Sequence, residues 1–194
     1  MPEYTVSFRT FGCKQNQYDT DFLKESFERK GFRVVDEGPS DVVVINTCAV
    51  TAKGAAKCRQ AIRAAARSGA KVVVSGCYSQ VAPRDVADIP GVIAVGGVLG
   101  RGALADLALS ALESGETAVG VTPHASSRGG APAFEETPVE TPSLTRAFLK
   151  IQEGCGDFCA YCIVPFARGP SRSRPPQRIM DEARALVAKG YKEI

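Results

Sequence analysis

The chain has 194 residues, room for one full domain or one and part of a second, with 44% hydrophobic and 23% charged residues as in an ordinary globular protein. Its net charge of +3 is small, no apolar stretch approaches a membrane span, and the N-terminus lacks the apolar run of a signal peptide. A bilayer-spanning protein with a membrane partner and an exported disulfide framework are both excluded; seven cysteines, an odd count, fit free thiols in a reducing cytoplasm.

Over roughly the first 115 residues, hydrophobic periodicity alternates between strand and helix. Residues 4–10 alternate and are rich in β-formers, which predicts a strand. Residues 18–30 place Phe22, Leu23 and Phe27 at helical spacing, and Gly31 stops that helix. The Val/Ile run of 42–46 reads as a strand buried on both faces of a parallel sheet. Residues 52–68 are Ala-rich and basic on one side, a helix stopped by Gly69. Residues 71–75 repeat the buried-strand pattern, 92–95 form a further short strand, and 103–114 a further helix. The Gly-rich stretch 96–102 has neither dinucleotide nor P-loop spacing, so it reads as a strand-to-helix turn. This order predicts an α/β fold, a doubly wound parallel sheet, as a domain over residues 1–120.

Composition then changes. Residues 122–143 are Pro, Gly, Ser, Thr and Glu with few large apolar side chains, which sets a linker at 121–143 or an ordered loop lying against a neighbouring domain. Beyond it, 146–152 reads as a strand, 178–189 as an amphipathic helix after Pro175-Pro176, and 192–194 as the opening of another strand. Strand, loop, helix and strand make the start of a (β/α) barrel over 144–194, a fold whose chemistry sits at the strands' C-terminal ends. One such unit cannot bury its own faces, so the chain is expected to be the front part of a longer protein.

Cys155, Cys159 and Cys162 stand in Gly-Cys-Gly-Asp-Phe-Cys-Ala-Tyr-Cys, a Cys-x3-Cys-x2-Cys loop with Tyr161 before the last thiol. Three thiolates can each take one iron of a 4Fe–4S cube and leave the fourth iron open, unlike the closed four-cysteine arrangement that moves electrons. A zinc site would want a fourth ligand, yet no further Cys lies nearby and the single histidine, His124, is well upstream in a polar stretch.

Cys13, Cys48 and Cys77 are far apart in sequence, yet each follows a predicted strand. Strand C-termini of an open parallel sheet share one edge, so three strands would deliver three thiols there as a second three-cysteine site. Gly12 and Gly76 would let the backbone turn tightly beside a bulky cluster. Buried cysteines are also common small core residues, and spacing alone leaves both readings open. Cys58, mid-helix between Lys57 and Arg59, reads as a structural or idle thiol. From Arg168 to Arg178 there are four arginines and no acid; Arg168, Arg172 and Arg174 are candidate RNA contacts, against the plainer reading of a solvated basic loop.

Four stretches carry a family resemblance: Thr10-Phe11-Gly12-Cys13-Lys14-Gln15-Asn16, Asn46-Thr47-Cys48-Ala49-Val50-Thr51, Gly76-Cys77-Tyr78, and Gln152-Glu153-Gly154-Cys155 through Cys162-Ile163-Val164-Pro165-Phe166-Ala167-Arg168-Gly169. In this order they resemble the methylthiotransferase family of radical S-adenosylmethionine (SAM) enzymes, along nearly the whole chain. The resemblance implies a transferase with two 4Fe–4S clusters and SAM as cofactors. Cys13, Cys48 and Cys77 would hold an auxiliary cluster, Cys155, Cys159 and Cys162 the SAM-binding one, and Tyr161 would lie near the SAM adenine. It implies a tRNA anticodon loop as partner, an electron donor such as flavodoxin or ferredoxin, and a monomer.

Within the family, Gly12 to Thr20 and Cys162 to Arg174 most resemble the branch that methylthiolates N6-threonylcarbamoyladenosine in tRNA, with Asp21 where that branch usually has glutamate. The alternatives are methylthiolation of a ribosomal-protein aspartate and a non-catalytic, metal-stabilised RNA-binding fragment. The implied chemistry is radical: the target is an unactivated C–H at adenine C2, which acid–base groups do not readily deprotonate, and the cofactor carries that hard step. The resemblance places further barrel strands and a small RNA-binding β-domain beyond Ile194, so residues 1–194 alone are expected to be inactive.

Overall fold

The computed structural model describes residues 4–124 and 133–194, so part of the predicted linker, 125–132, lies outside the described residues. Six strands form one parallel sheet: β1 (Thr5–Thr10), β2 (Arg33–Val34), β3 (Val42–Thr47), β4 (Lys71–Gly76), β5 (Val92–Gly96) and β6 (Ala118–Gly120), in the spatial order β2-β1-β3-β4-β5-β6. Every neighbouring pair is parallel, with Val6 opposite Val42 and Val44 opposite Val73 along the centre.

The two faces follow from the period-2 alternation of a strand. Val42, Val44 and Val73 pack with Leu23 and Phe27 of α1 (Lys14–Arg29) and with Leu104 and Ala108 of α5 (Leu104–Ser114). Val43, Ile45, Val72 and Val74 point the other way, onto Cys58, Ile62 and Ala65 of α2 (Ala52–Arg67) and onto Val86 of α4 (Pro83–Ala87). Helices on both faces make the sheet doubly wound, as the sequence predicts. A one-turn helix, α3 (Cys77–Val81), directly follows β4, and the Gly-rich turn leads through a short 3-10 segment, Arg101–Ala103, into α5.

The last third carries β7 (Gln152–Glu153), α6 (Val164–Arg168), β8 (Arg172–Ser173) and α7 (Pro176–Ala188). The strand expected over 146–152 is ladder-paired only at its end, where β7 meets β8 antiparallel. Upstream of that, Ala147 N–H donates to Glu193 C=O at 3.0 Å, a single bond where the two predicted barrel strands approach. The segment before β7 lies against α1. Tyr18 Oη donates to the Thr137 carbonyl at 2.8 Å, Glu25 accepts the Glu140 and Thr141 amides, and Val139 packs on Tyr18 and Phe22.

Candidate functional site

The sheet order puts a topological switch between β1 and β3, whose chain connections leave in opposite directions; open α/β sheets bind ligands at that crevice, outside the strands' C-terminal ends. Cys13 follows β1, Cys48 follows β3, and Cys77 follows β4 next door. The structure brings all three to one cavity of about 160 Å³, which Gly154, Val164 and Arg168 also line. Three strand ends have thus done what no local spacing could: they gather three thiols separated by dozens of residues.

Buried polar side chains fix that edge. Asn16, in the first turn of α1, donates to the Phe11 carbonyl at 2.7 Å and the Thr47 carbonyl at 2.9 Å, tying the end of β1 to the end of β3. Asn46 returns a bond to the Asn16 carbonyl at 2.9 Å, and Thr47 Oγ1 donates to Ser75 C=O at 2.6 Å. Asn16 ties the end of β1 to that of β3 and Thr47 ties β3 to β4, so the loops bearing Cys13, Cys48 and Cys77 cannot shift independently. Gly12 and Gly76 have φ of 115° and 103°, values an L side chain rarely adopts. A Cβ at Gly76 would meet Thr47 O at 2.5 Å, and one at Gly12 would press on Cys48 Sγ at 3.2 Å.

The thiols differ in setting. Cys13 is exposed, Cys48 half-buried and Cys77 buried. Burial raises the Cys77 thiol above its ordinary pKa, and the Arg168 guanidinium opposes that by favouring thiolate. Cys58 is fully buried and lies outside the cavity lining; its sulfur accepts the Cys48 N–H at 3.4 Å and donates to Cys48 C=O at 3.7 Å. It is a structural thiol that anchors Cys48.

The second cysteine set lies beside the first. Gly154 lines the thiol cavity and Cys155 follows it; Cys155 N–H donates to Gly169 C=O at 3.0 Å, pinning the loop's base together with the β7–β8 pair. Cys159 is exposed, Cys155 and Cys162 are half-buried, and Cys162 N–H closes a turn onto Cys159 C=O at 2.9 Å. Tyr161 is 91% exposed, and Phe158 meets Phe166 edge-on with centroids 5.8 Å apart. His124 Nε2 lies 3.0 Å from the Ala167 carbonyl.

Among the described residues, no three His, Cys, Asp or Glu side chains are grouped to hold a single metal ion. Thiols spread around a cavity suit a cube better, because each iron of a cube stands at its own corner and takes its own thiolate. The donor set therefore fits an iron–sulfur cluster.

The arginine run is corrected by the structure. Arg168, Arg172 and Arg174 are buried rather than presented to an RNA. Arg174 pairs with Glu182 at 2.5 Å and Glu136 at 2.8 Å, and Arg172 donates to Arg168 C=O at 3.1 Å. Arg168 reaches Glu153 at 2.5 Å, Asn16 Oδ1 at 2.6 Å and Asp19 at 3.0 Å. Arg168 and Arg174 spend their charge on carboxylates inside the protein, as a buried guanidinium requires, while Arg172 is held through the Arg168 carbonyl and its Nη1 is buried without a hydrogen-bond partner.

Arg168 belongs to a buried network that sequence reading missed. Asp19 of α1 also pairs with Lys150 and, at 3.3 Å, with Arg101, while Glu153 pairs with Arg101 at 2.7 Å and Lys150 at 3.4 Å. Burial pushes the Asp19 carboxyl up, but Arg101, Lys150 and Arg168 together outweigh it and hold the group well below the usual carboxylate range. The network joins the sheet domain to the cysteine-loop segment within two residues of Cys155. The only local signal was the set of charged residues flanking the motifs, with nothing to pair them.

Comparison with known proteins finds relatives along nearly the whole chain. Residues 5–97 match the Uncharacterized protein family UPF0004. The chain is 42% identical to the threonylcarbamoyladenosine tRNA methylthiotransferase MtaB of Bacillus subtilis and 40% identical to that of Aquifex aeolicus, covering 98% and 97% of itself but 42% and 46% of those proteins. A tRNA-2-methylthio-N(6)-dimethylallyladenosine synthase of Sphingopyxis alaskensis is 36% identical over 98% of the chain and 43% of that protein. The chain thus spans less than half the length of these relatives. In fold it is similar to the radical S-adenosylmethionine methyltransferase TsrM of Kitasatospora setae, solved with cobalamin and a [4Fe-4S] cluster bound, at a TM-score of 0.58, 18% identity, and coverage of 97% of this chain and 46% of that one. Residues 5–97 thus match UPF0004, and nearly the whole chain is similar to part of each of these tRNA methylthiotransferases.

Proposed function

We propose that this protein works as a radical SAM methylthiotransferase on tRNA, converting N6-threonylcarbamoyladenosine beside the anticodon to its 2-methylthio derivative. The observation that carries the reading is the meeting of two cysteine sets. Cys13, Cys48 and Cys77 ring one cavity, and the loop of Cys155, Cys159 and Cys162 starts from a residue lining that same cavity. The reaction needs two chemistries side by side, radical generation and sulfur transfer, and adjacent three-thiolate sites supply the places for both.

In this reading Cys13, Cys48 and Cys77 hold the auxiliary 4Fe–4S cluster and Cys155, Cys159 and Cys162 the SAM-binding one. When bound, the clusters and SAM supply one-electron transfer, radical generation, sulfur and methyl. The protein's part is placement. Asn16, Asn46 and Thr47 hold the strand ends, and Arg168 donates toward Cys77 and favours its thiolate. In this reading exposed Tyr161 would lie near the SAM adenine, and Phe158 and Phe166, in edge-on contact, would offer apolar surface beside it. The substrate base must leave its stack to reach both clusters, which suits a loop nucleotide.

The choice of N6-threonylcarbamoyladenosine rests on the MtaB relatives at 42% and 40% identity, against 36% for the dimethylallyladenosine enzyme. It is tested by deleting the gene in its host and measuring tRNA nucleosides by mass spectrometry. Loss of the 2-methylthio derivative with N6-threonylcarbamoyladenosine retained is the expected result. Unchanged nucleosides would sink the reading, and loss of the dimethylallyl counterpart instead would move the substrate.

A further inference from the structure

Residues 42–84 contain no aspartate or glutamate, and they contain seven cations. The whole chain carries only +3, so the remaining 151 residues are net negative by four. Five of the seven cations, Lys53, Lys57, Arg59, Arg63 and Arg67, lie on α2; the others are Lys71 and Arg84. On a helical wheel at 3.6 residues per turn the five share one half of the helix, opposite the Cys58, Ile62 and Ala65 face that packs on the sheet. Lys53, Lys57, Arg63 and Arg67 are exposed, and Arg59 is half-buried on Tyr78, to whose hydroxyl it donates at 3.2 Å. Among the described residues, none of the five has a carboxylate within ion-pair reach.

This pattern works against the helix that bears it. Lys53–Lys57, Arg59–Arg63 and Arg63–Arg67 are like-charge pairs at i,i+4, each unfavourable in isolation. Lys53 and Lys57 sit toward the helix N-terminus, where the macrodipole favours anions, and no acid stands in the first turn. Charge arranged against local stability calls for an anion that sits upon it. The exposed residues between the cations are Ala56, Gln60 and Ala64, small or polar, so a polyanion can approach closely. The same face offers no aromatic or leucine to insert into a lipid surface. Lys53 and Arg67 are 14 residues apart, or about 21 Å along the axis, a track for several successive phosphates rather than one. The track starts at the functional site, since Cys48 and Val50 line the thiol cavity and α2 begins two residues later.

We infer that the outer face of α2 is a docking surface for the sugar–phosphate backbone of the RNA substrate, leading it to the cysteine cavity. The inference rests on the tRNA reading above and moves the RNA contact away from Arg168, Arg172 and Arg174. It is tested by titrating labelled tRNA with the protein and with the triple variant Lys57→Gln, Arg63→Gln, Arg67→Gln across about 50 to 200 mM salt. The expected result is weaker binding at every salt and a slope of log K against log[salt] shallower by about 2 to 3, roughly one per phosphate contact removed. A matched variant that neutralises Lys30, Arg184 and Lys192 keeps the wild-type slope.

Both variants fold, as judged by thermal melting, and the α2 variant melts no lower than wild type because its repulsive pairs are relieved. An unchanged slope in the α2 variant, an equal drop in the matched variant, or binding to anionic vesicles in place of RNA would each overturn the inference. Wild-type protein that binds no RNA would overturn this inference and the tRNA reading together. If tRNA nucleosides are unchanged on gene deletion while the slope still falls as expected, only the methylthiolation reading fails.

Discussion

Nη2 of Arg168 lies 3.0 Å from Oδ2 of Asp19, a pair separated by 149 residues in sequence and buried where the cysteine-loop segment meets α1. The same guanidinium bonds Glu153 and Asn16, so one side chain touches the residue that locks the strand ends and the residue that precedes Gly154-Cys155. Arg168→Met would leave two buried carboxylates short of a cation. Breaking such a pair from one side typically costs about 3–5 kcal/mol; Lys150 and Arg101 remain, so about 3 kcal/mol is expected in urea unfolding. A loss below about 1 kcal/mol would mean the guanidinium is not holding the two segments together.

The network has a signature in acid. Asp19 titrates well below its ordinary range because three cations outweigh the burial that would raise it. Its folded pKa is thus lower than its unfolded pKa of about 3.9, so its stabilisation is complete above that value and drains away as pH falls toward the folded pKa. Wild-type stability should decline steeply below about pH 4. Asp19→Asn should start lower at neutral pH and lose less on acidification. Parallel curves for the two proteins between pH 6 and pH 2 would remove Asp19 from the account.

The sheet was legible because Val42–Thr47 and Lys71–Gly76 are apolar runs of the length a doubly covered strand requires. The common edge for Cys13, Cys48 and Cys77 followed from that topology alone. Two- and three-residue strands such as Arg33–Val34 and Ala118–Gly120 were invisible, since so short a segment has no period to detect. The helix predicted from residue 18 starts at Lys14, because its first turn, Lys-Gln-Asn-Gln, is polar, and Asn16 is buried by hydrogen bonding rather than by hydrophobicity. The arginine run misled for a related reason. Four of its carboxylate partners, Asp19, Glu153, Glu136 and Glu182, lie outside the Arg168–Arg174 window, so local charge said nothing about neutralisation across the fold.

Cys58 and the exposed thiols should separate by reactivity in the metal-free protein. Cys58 is fully buried, its sulfur is bonded to the Cys48 backbone on both sides, and burial raises its pKa. Thiolate is the reactive form, so a buried thiol with a raised pKa reacts slowly. Iodoacetamide followed by peptide mass spectrometry should label Cys13 and Cys159 first and Cys58 last. Early labelling of Cys58 would show that α2 opens readily from the sheet.

Gly76 offers a way to strike one cysteine site and spare the other. At φ 103° an alanine would be strained, and its Cβ would collide with the Thr47 carbonyl at 2.5 Å. The backbone strain alone is worth about 1–3 kcal/mol, and relief requires the Thr47–Cys48 or Gly76–Cys77 backbone to move. Either movement pulls a thiol out of the cavity while leaving the Cys155 loop, which closes through Gly169 and the β7–β8 pair, in place. After anaerobic reconstitution with iron and sulfide, wild-type protein should hold about eight irons per chain and Gly76→Ala about four, with Mössbauer spectra still reporting a cube. A triple Cys→Ala variant of Cys155, Cys159 and Cys162 should also fall to about four, and combining it with Gly76→Ala should leave almost none. If wild-type protein binds only about four irons and the triple Cys→Ala variant loses them all, then Cys13, Cys48 and Cys77 assemble no cluster, and their cavity serves another purpose.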